Sequence, residues 1–548
     1  MRIGAFAMVV ACLAGLFAVW ACHRFDLGAR LPQRSNIFFF LYQTYESPHL
    51  ILAGLFGLAV LLVARRRGDI GQSARPEANP SFFARPWAVL LLAAAVVLLA
   101  GLGENVWLKN YPFAMDEYAP TFQAEIFAKG QWAARLPEVW RPFLFALSPI
   151  FILVDRGRGT WSQAYFPVYA AIRSLFLLAG LERWTNPVLA GMTIVALAAV
   201  ARILWPAPKG FFLAPVALLA CSPQFLVNSM TAYSMPAHLL FNLVWLGLWL
   251  RKDRVGTAVA PWIGFLAVGL HNPLPHLLFA APFLLRELLR RKWKLLSYVM
   301  AVYGAGVIFW WWLLQRVHPL LQGSGILSQF SVPARPGEWL MQLMHGTLLF
   351  SWLTPAAVLF FVAGVASWRR LPEAGKDLVW GVLLTFAFYV LYPRGQGHGW
   401  GYRYVYGVLG NVVLVAAYGL ETLAAAAFFR RRILLVASAA LSLFVSLPLR
   451  GREIREVMAP FIRASEFIAT LKGRVVLIDV RTVWYVQDLV RNDPFLRNDP
   501  KIMFADRIRA KRPALETVCP GCARELTAAE LVSFGFPDPS GELRLPRP

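Results

Sequence analysis

The chain is dominated by uncharged apolar runs that are long enough to cross a lipid bilayer. A helix needs about 20 mainly apolar residues to cross a hydrocarbon core of roughly 30 Å, and segments such as 86–103, 187–205 and 296–315 fit that requirement. With 58% hydrophobic and only 15% charged residues among 548, the composition excludes a soluble globular protein. We therefore predict an α-helical polytopic membrane protein.

The apolar runs predict about 11 to 13 transmembrane helices. One long apolar stretch, 257–287, is interrupted by HNPLPH, which predicts two short helices that meet at a polar turn. The N-terminal run begins like a signal peptide, but no small-residue cleavage site follows it, so we expect it to remain as a span. We divide the chain into two N-terminal helices with a cytoplasmic loop, a membrane module and a tail: 1–85, 86–450 and 451–548.

The formal net charge of +24 is best explained by membrane topology. Basic clusters recur between the spans, and all of them fall on one side if the N-terminus is cytoplasmic, as the positive-inside rule requires. The loop 107–186 and the tail then lie outside the cytoplasm, in a multi-pass protein of the inner (plasma) membrane. No basic-aromatic surface motif is present, so we expect membrane lipids and no nucleic acid as partners.

The tail after residue 450 has a different pattern. The run RVVLIDV is typical of a buried strand, and the Asn-Asp-Pro turns that follow predict a small extracytoplasmic α/β domain. Cys519 and Cys522 form a C-x-x-C pair without the further ligands of a zinc site, which favours a structural disulfide.

The first large loop contains two adjacent carboxylates, in YPFAMDEYAPTFQAEIFAKGQW. Pro120 is suited to the first position of a helix, and Gly130 to its end. Asp116 and Glu117 would then lie in the turn before an amphipathic helix on the membrane surface, where the positive helix end keeps Asp116 ionised and able to act as a base. The alternative is that the two acids only stabilise the start of the helix.

Several motifs resemble the C-type glycosyltransferase superfamily, the group of protein O-mannosyltransferases and aminoarabinose transferases. They are MDEYAPTFQAEIFAKGQW, then GTWSQAYFPVYAAIRS, NSMTAYSMPAH and GWGYRYVYGVLGN, in the order of bacterial members and over most of 86–430. The sequence departs from the family pattern in lacking Pro between Tyr165 and Phe166, in having Tyr402 where the family has Pro, and in two extra N-terminal spans.

The resemblance implies an enzyme that transfers a sugar from a polyprenyl-phosphate carrier to an acceptor glycan, lipid or protein outside the cytoplasm. Asp116 would be the general base that takes the acceptor proton, and Glu117 would position the acceptor or a bound ion. Arg403 would stabilise the phosphate that leaves. The resemblance also allows a divalent cation, although the sequence has no spacing typical of metal ligands.

Further residues are candidates for binding the donor phosphate or sugar. His398 shares a glycine-containing loop with Arg403; alternatively, Arg403 is an interfacial arginine between aromatic neighbours. A histidine in a bundle more often caps a helix or is hydrogen-bonded in the core. The other candidates are His238, His271, His276 and Tyr165, together with Arg156, Arg158, Trp161 and Gln163 of the loop DRGRGTWSQAY.

Two other classes share the polytopic pattern. A transporter or flippase would usually show two related halves with breaks at matching positions, whereas the sequence has one break and no clear repeat. A polymerase or ligase of surface polysaccharides would share the lipid-linked donor and the large external loops. Loss of Asp116 separates the classes, because the transferase requires it and a transporter tolerates its loss better.

Overall fold

The computed structural model describes most of the chain. The described residues are 1–25, 36–65, 86–206, 212–317, 333, 336–392, 396, 398–422, 428–480 and 484–536. The basic segment 66–85, most of 318–335 and part of the YPRGQGHGWGYR loop, on which some of the sequence predictions fall, lie outside these residues.

The fold is mainly helical. The α-helices of the membrane module and its N-terminal extension are α1 Arg2–Phe25, α2 Asn36–Arg65, α3 Pro86–Gly103, α4 Met115–Ala128, α5 Leu144–Leu147, α6 Val168–Leu178, α7 Thr185–Leu204, α8 Leu213–Ala220, α9 Pro223–Ser229, α10 Met235–Arg251, α11 Arg254–Val268, α12 Leu274–Leu289, α13 Trp293–Val317, α14 Pro336–Trp352, α15 Pro355–Ala366, α16 Glu373–Val390, α17 Leu409–Thr422, α18 Phe428–Leu441 and α19 Leu447–Thr470. The tail adds α20 Ala505–Ile508, α21 Arg512–Val518 and α22 Ala528–Ser533.

The strands form two small sheets. In the first large loop, β1 Ala134–Arg135, β2 Ile152–Asp155 and β3 Thr160–Gln163 form an antiparallel sheet with β3 in the middle. In the tail, β4 Val475–Ile478 lies between β5 Lys501–Phe504 and β6 Ala523–Leu526, and both pairings are parallel. The prediction that RVVLIDV supplies a central strand of an α/β domain is confirmed.

Seven helices among the described residues are long and apolar enough to cross a membrane, or eight when α14 and α15, bent by 111°, count as one broken span. The chain is therefore a multi-pass membrane protein. The predicted 11 to 13 spans included apolar segments that the structure builds as shorter helices, among them α11 and α12, which meet at the predicted polar turn. In the bundle, α10 packs on α7 and α11, and α15 packs along α17.

The two N-terminal helices are held to the rest of the bundle by a buried charged cluster. The Arg450 guanidinium, on α19, donates to both oxygens of Glu46 on α2, at 2.8 Å, and to Glu453 at 2.7 Å. It also stacks on the ring of Trp352, whose Nε1 donates to Glu46. A buried charge is tolerated when it is paired and hydrogen-bonded, and removing one partner typically costs about 3–5 kcal/mol.

The tail domain is joined to the bundle without a flexible hinge, because α19 continues through position 450 to Thr470. The domain boundary at 451 therefore falls inside a helix, and the sheet begins after it. Cys519 and Cys522 form the predicted disulfide, which closes the turn before β6.

The tail packs directly on the first large loop. Trp161, fully buried on β3, donates its Nε1 hydrogen to the carbonyl of Pro494 at 2.6 Å. The Asn492 amide donates to the carbonyls of Leu147 and Ile502, and Asn492 also exchanges hydrogen bonds with the hydroxyl of Tyr118 on α4. The tail thus fixes the helix that carries the acidic pair.

Candidate active site

The acidic pair lies within helix α4. The helix begins at Met115, so Asp116 and Glu117 occupy its first turn, and Pro120 lies inside it. The prediction that Pro120 begins the helix is wrong. A proline this close to the N-terminus is tolerated, and its only helical loss is the hydrogen bond to the carbonyl of Asp116. Asp116 still lies at the positive end of the helix, which favours the ionised carboxylate.

Asp116 is held by two side chains from distant parts of the chain. Its Oδ2 accepts a hydrogen bond from Nη1 of Arg403 at 3.1 Å, and its Oδ1 accepts one from the hydroxyl of Tyr165. The carboxylate side chain remains 22% exposed, while that of Arg403 is almost fully buried. Two predicted site residues, Arg403 and Tyr165, therefore both bind the carboxylate of a third, Asp116.

Arg403 is positioned by its own loop and by the turn after α9. Its guanidinium lies over the ring of Tyr233, 4.4 Å from the centroid, and donates to the carbonyl of Gln396. Gly401 has a φ of 66°, and a Cβ there would lie 1.9 Å from Oε1 of Gln224. Gly401 therefore makes room for the side chain of Gln224, which accepts a hydrogen bond from the backbone of Tyr402 and holds this loop.

The Asp116 carboxyl has a pKa below its ordinary value. Burial by itself would raise the pKa, but the Arg403 charge and the Tyr165 hydrogen bond lower it by more. Asp116 is therefore ionised at neutral pH in this arrangement. A carboxylate of this kind accepts a proton effectively only if the cation beside it is redirected during the reaction.

Two histidines line the same region. The His271 ring lies against that of Tyr165, with centroids 3.8 Å apart, and burial lowers the pKa of His271 to about 4 despite the nearby Asp116. His238 is 6.5 Å from His271 between ring centroids. Neither ring nitrogen of His238 has a hydrogen-bond partner among the described residues. His271 is thus neutral at pH 7 and able to donate a hydrogen bond without adding charge.

Glu117 has a different environment from its neighbour. Its carboxylate accepts the backbone N–H groups of Phe113, at 3.2 Å, and Ala232, at 3.0 Å. The residue is 1% exposed, and burial raises its pKa to about 7. Because both oxygens are used to fix the backbone around α4, the arrangement suits positioning better than proton transfer.

His398 lies on the loop of Arg403 but faces the tail. Its Nε2 is 2.5 Å from Oδ2 of the buried Asp488, and its ring packs edge-on against Phe113 at 4.8 Å. The stacking of Phe113 on Trp400, at 5.0 Å, continues this contact. His398 therefore joins the arginine loop, the start of α4 and the tail.

The remaining candidates are not brought to Asp116. His276 is a buried core histidine, bonded to Asn242 and Tyr303 at 2.8 Å each. Arg156 and Arg158 are exposed at the turn between β2 and β3. Trp161 and Gln163 are buried in the interface with α4 and the tail, where the Gln163 backbone donates to Gln123 at 3.0 Å. In the loop predicted as sugar-binding, Trp161 and Gln163 are therefore packing residues, whereas Tyr165 contacts Asp116.

No group of three or more His, Cys, Asp or Glu side chains is placed to hold a metal ion within the described ranges. The oxygens of Asp116 and Glu117 are taken up by Arg403, Tyr165 and backbone amides.

Some site residues carry no local signal in the sequence. Tyr233, Gln396 and Gln224 place Arg403, and Asp488 and Asn492 of the tail contact the loop and α4. Only a tertiary arrangement reveals them, because each acts on a partner that lies far away in the chain or in a loop without periodicity. The motif NSMTAYSMPAH contains Tyr233, but its candidate site residue is His238.

No protein-family model and no curated protein matches the chain. Solved structures do. ArnT from Cupriavidus metallidurans in the apo state aligns with a TM-score of 0.52 at 12% identity, over 79% of this chain and 88% of that one. This chain has the ArnT fold. The structure of ArnT bound to undecaprenyl phosphate aligns with a TM-score of 0.52 at 14% identity, over 82% and 90%. The C-type glycosyltransferase fold expected from the motifs is therefore confirmed.

Proposed function

We propose that this chain is an integral membrane glycosyltransferase that moves a sugar from a polyprenyl-phosphate donor to an acceptor on the extracytoplasmic side. The observation that carries the proposal is the convergence of Asp116, Arg403, Tyr165 and His271 in one site. The ArnT fold supports it, since an ArnT structure holds undecaprenyl phosphate.

Arg403 is the partner of the donor phosphate. Its guanidinium contributes one N–H to Asp116, and its Nε has no hydrogen-bond partner in the described part of the chain. An arginine fork binds a phosphate by two parallel hydrogen bonds. When the donor binds, the phosphate competes with Asp116 for the guanidinium, which weakens the interaction that lowers the Asp116 pKa.

Asp116 then acts as the base. The acceptor oxygen or nitrogen attacks the anomeric carbon, the bond from that carbon to the phosphate oxygen breaks, and the acceptor proton passes to Asp116. Negative charge develops on the departing polyprenyl phosphate and is stabilised by Arg403. Neutral His271 lies against Tyr165 and is a further hydrogen-bond donor near this charge, while the single hydroxyl hydrogen of Tyr165 is donated to Asp116.

Binding of undecaprenyl phosphate to the purified protein in nanodiscs tests the donor side of the proposal. Saturable binding that weakens in Arg403→Ala and persists in Arg156→Ala supports it, because Arg156 is an exposed arginine of the β2–β3 turn. Equal binding by both variants would remove Arg403 from the donor site. Passage of the lipid-linked sugar across proteoliposomes, undiminished in Asp116→Asn, would instead favour a flippase.

A further inference from the structure

A cavity of about 250 Å³ lies beside α4, and Arg403 is not among its lining residues. It is bounded by the end of α3, the start of α4, α6, the segment before α7 and the turn after α9. Its polar lining consists of Glu104, Asn110, Tyr111, Glu117, Thr121, Arg173, Glu182 and Arg183. Glu117 forms part of the wall, and the residue before it in the chain, Asp116, is the proposed base, about 3.8 Å away between Cα atoms.

The cavity contains polar atoms whose hydrogen-bonding capacity is not met by the protein. Arg173 is only 6% exposed, and its Nη2 donates to Thr121 at 3.0 Å and to Glu182 at 2.7 Å. Its Nε and the hydroxyl of Tyr111 are buried, and neither has a partner among the described residues. A buried hydrogen-bond donor without a partner is destabilising, so these atoms indicate a polar occupant.

The mixture of acidic and basic groups in the lining indicates the kind of occupant. Three carboxylates, those of Glu104, Glu117 and Glu182, face two guanidinium groups, those of Arg173 and Arg183. Arg173 is already paired with Glu182. A phosphate dianion only accepts hydrogen bonds, whereas this lining combines acceptors with donors and so matches hydroxyl groups, which both donate and accept.

The volume limits the size of the occupant. Pockets for drug-sized ligands measure roughly 300–1,000 Å³, and one water takes about 30 Å³ of liquid. A cavity of about 250 Å³ thus holds one sugar ring but not an oligosaccharide.

We propose that this cavity binds one uncharged, hydroxyl-rich ring of the acceptor, held by Tyr111, Arg173 and Glu104. The proposal rests on the transferase function, since it gives the acceptor a site next to Asp116 and separate from the phosphate site. Glu117 keeps the wall between the two sites fixed through its bonds to Phe113 and Ala232.

The test measures binding to the full chain in nanodiscs that are free of glycoside detergents. The probes are methyl β-D-glucopyranoside as a soluble ring, monoglucosyl diacylglycerol in the nanodisc as a lipid headgroup, inorganic phosphate and undecaprenyl phosphate. The variants are Tyr111→Phe, which removes one hydroxyl, and Glu104→Gln, which replaces the carboxyl group by an amide. Tyr298→Phe is the matched control, because Tyr298 is exposed on α13 and donates to Ala258.

We expect a saturable glucoside signal from at least one of the two sources, weakened roughly three- to tenfold in Tyr111→Phe and Glu104→Gln but not in Tyr298→Phe. The source that binds more tightly identifies a soluble or a lipid-borne acceptor. Undecaprenyl phosphate binding should be unchanged in Tyr111→Phe.

Absence of glucoside binding from both sources, an equal loss in the control, or displacement of the glucoside by inorganic phosphate would overturn the proposal. Failure of the transferase proposal gives a different pattern. In that case Arg403→Ala leaves undecaprenyl phosphate binding intact, whatever the cavity variants show.

Discussion

Arg403 and Asp116 are 287 positions apart in the chain, and their side chains form an ion pair at 3.1 Å. The pair joins the first turn of α4 to the loop before α17. In this arrangement the proposed base and the proposed phosphate partner bind each other in the absence of substrate. The roles of the two residues can therefore be separated by substitution.

Asp116→Asn should reduce sugar transfer by roughly 10²- to 10⁴-fold, because the amide keeps the shape of the carboxylate but cannot take the acceptor proton. Undecaprenyl phosphate binding should persist. Transfer is measured with the native lipid-linked sugar, and Glu125→Gln, a change of the same kind on the same helix, is the control. A folded Asp116→Asn protein with the wild-type rate would end the assignment of Asp116 as base.

Arg403→Lys should weaken undecaprenyl phosphate binding less than Arg403→Ala does, but should still lower the transfer rate. Lysine keeps the charge and loses the planar fork that matches a phosphate. Titration of the lipid into each purified variant gives the affinity, and turnover gives the rate. If the lysine variant had full affinity and full rate, charge alone would be sufficient at this position.

Tyr165→Phe should move the acid limb of the transfer rate to higher pH. The hydroxyl of Tyr165 donates to Asp116 and lowers its pKa, so removing the hydroxyl raises that pKa. The base works only when it is deprotonated, so a higher pH is then needed. The pH profile of kcat/KM measures the shift, with Tyr298→Phe as control. A limb that stays in place or moves to lower pH contradicts this role.

Arg491→Ala should lower both thermal stability and transfer rate, whereas Arg497→Ala should change neither appreciably. The two arginines begin the two RNDP sequences of the tail. Arg491 lies over the ring of Tyr111, 4.2 Å from its centroid, and its Nη2 is 3.4 Å from the carbonyl of Phe113, just before α4. Arg497 is exposed and pairs with Asp493. An arginine stacked on an aromatic ring stabilises the folded protein by about 0.5–2 kcal/mol.

Thermal unfolding and turnover of the two arginine variants give the comparison. Equal effects would show that the tail does not act through the segment before α4.

A cysteine at Arg156 or Arg509 should react with an impermeant maleimide in intact cells, and one at Lys252 or Arg291 should react only after the inner membrane is opened. All four side chains are exposed, and the first two lie on the loop and the tail expected outside the cytoplasm. The native free cysteines Cys12 and Cys22 are buried, and Cys221 is partly buried. The reverse labelling pattern would invert the topology and remove the extracytoplasmic site.

Features that depend on local chemistry could be predicted from the sequence. Long apolar runs must become helices, because backbone groups cannot remain unpaired in lipid, and RVVLIDV could only be buried as a strand. Asp116, Tyr165 and Arg403 were found through motifs. The contacts of Gln396 with Arg403 and of Asp488 with His398 were not, since they depend on how distant loops pack. The sequence places Pro120 at the start of α4, but the helix begins at Met115. The preference of proline for a helix start therefore does not decide the boundary here.

The cluster of Glu46, Arg450 and Glu453 has a consequence for biosynthesis. Glu46 lies on α2, near the N-terminus, and its cationic partner Arg450 lies 404 positions later, on α19. Until that helix emerges from the ribosome and inserts, the carboxylate has no arginine to neutralise it, and a lone charge within a span is costly. A nascent chain that ends before residue 447 should therefore leave α2 poorly inserted in the membrane. We expect quality-control proteases to degrade such a chain.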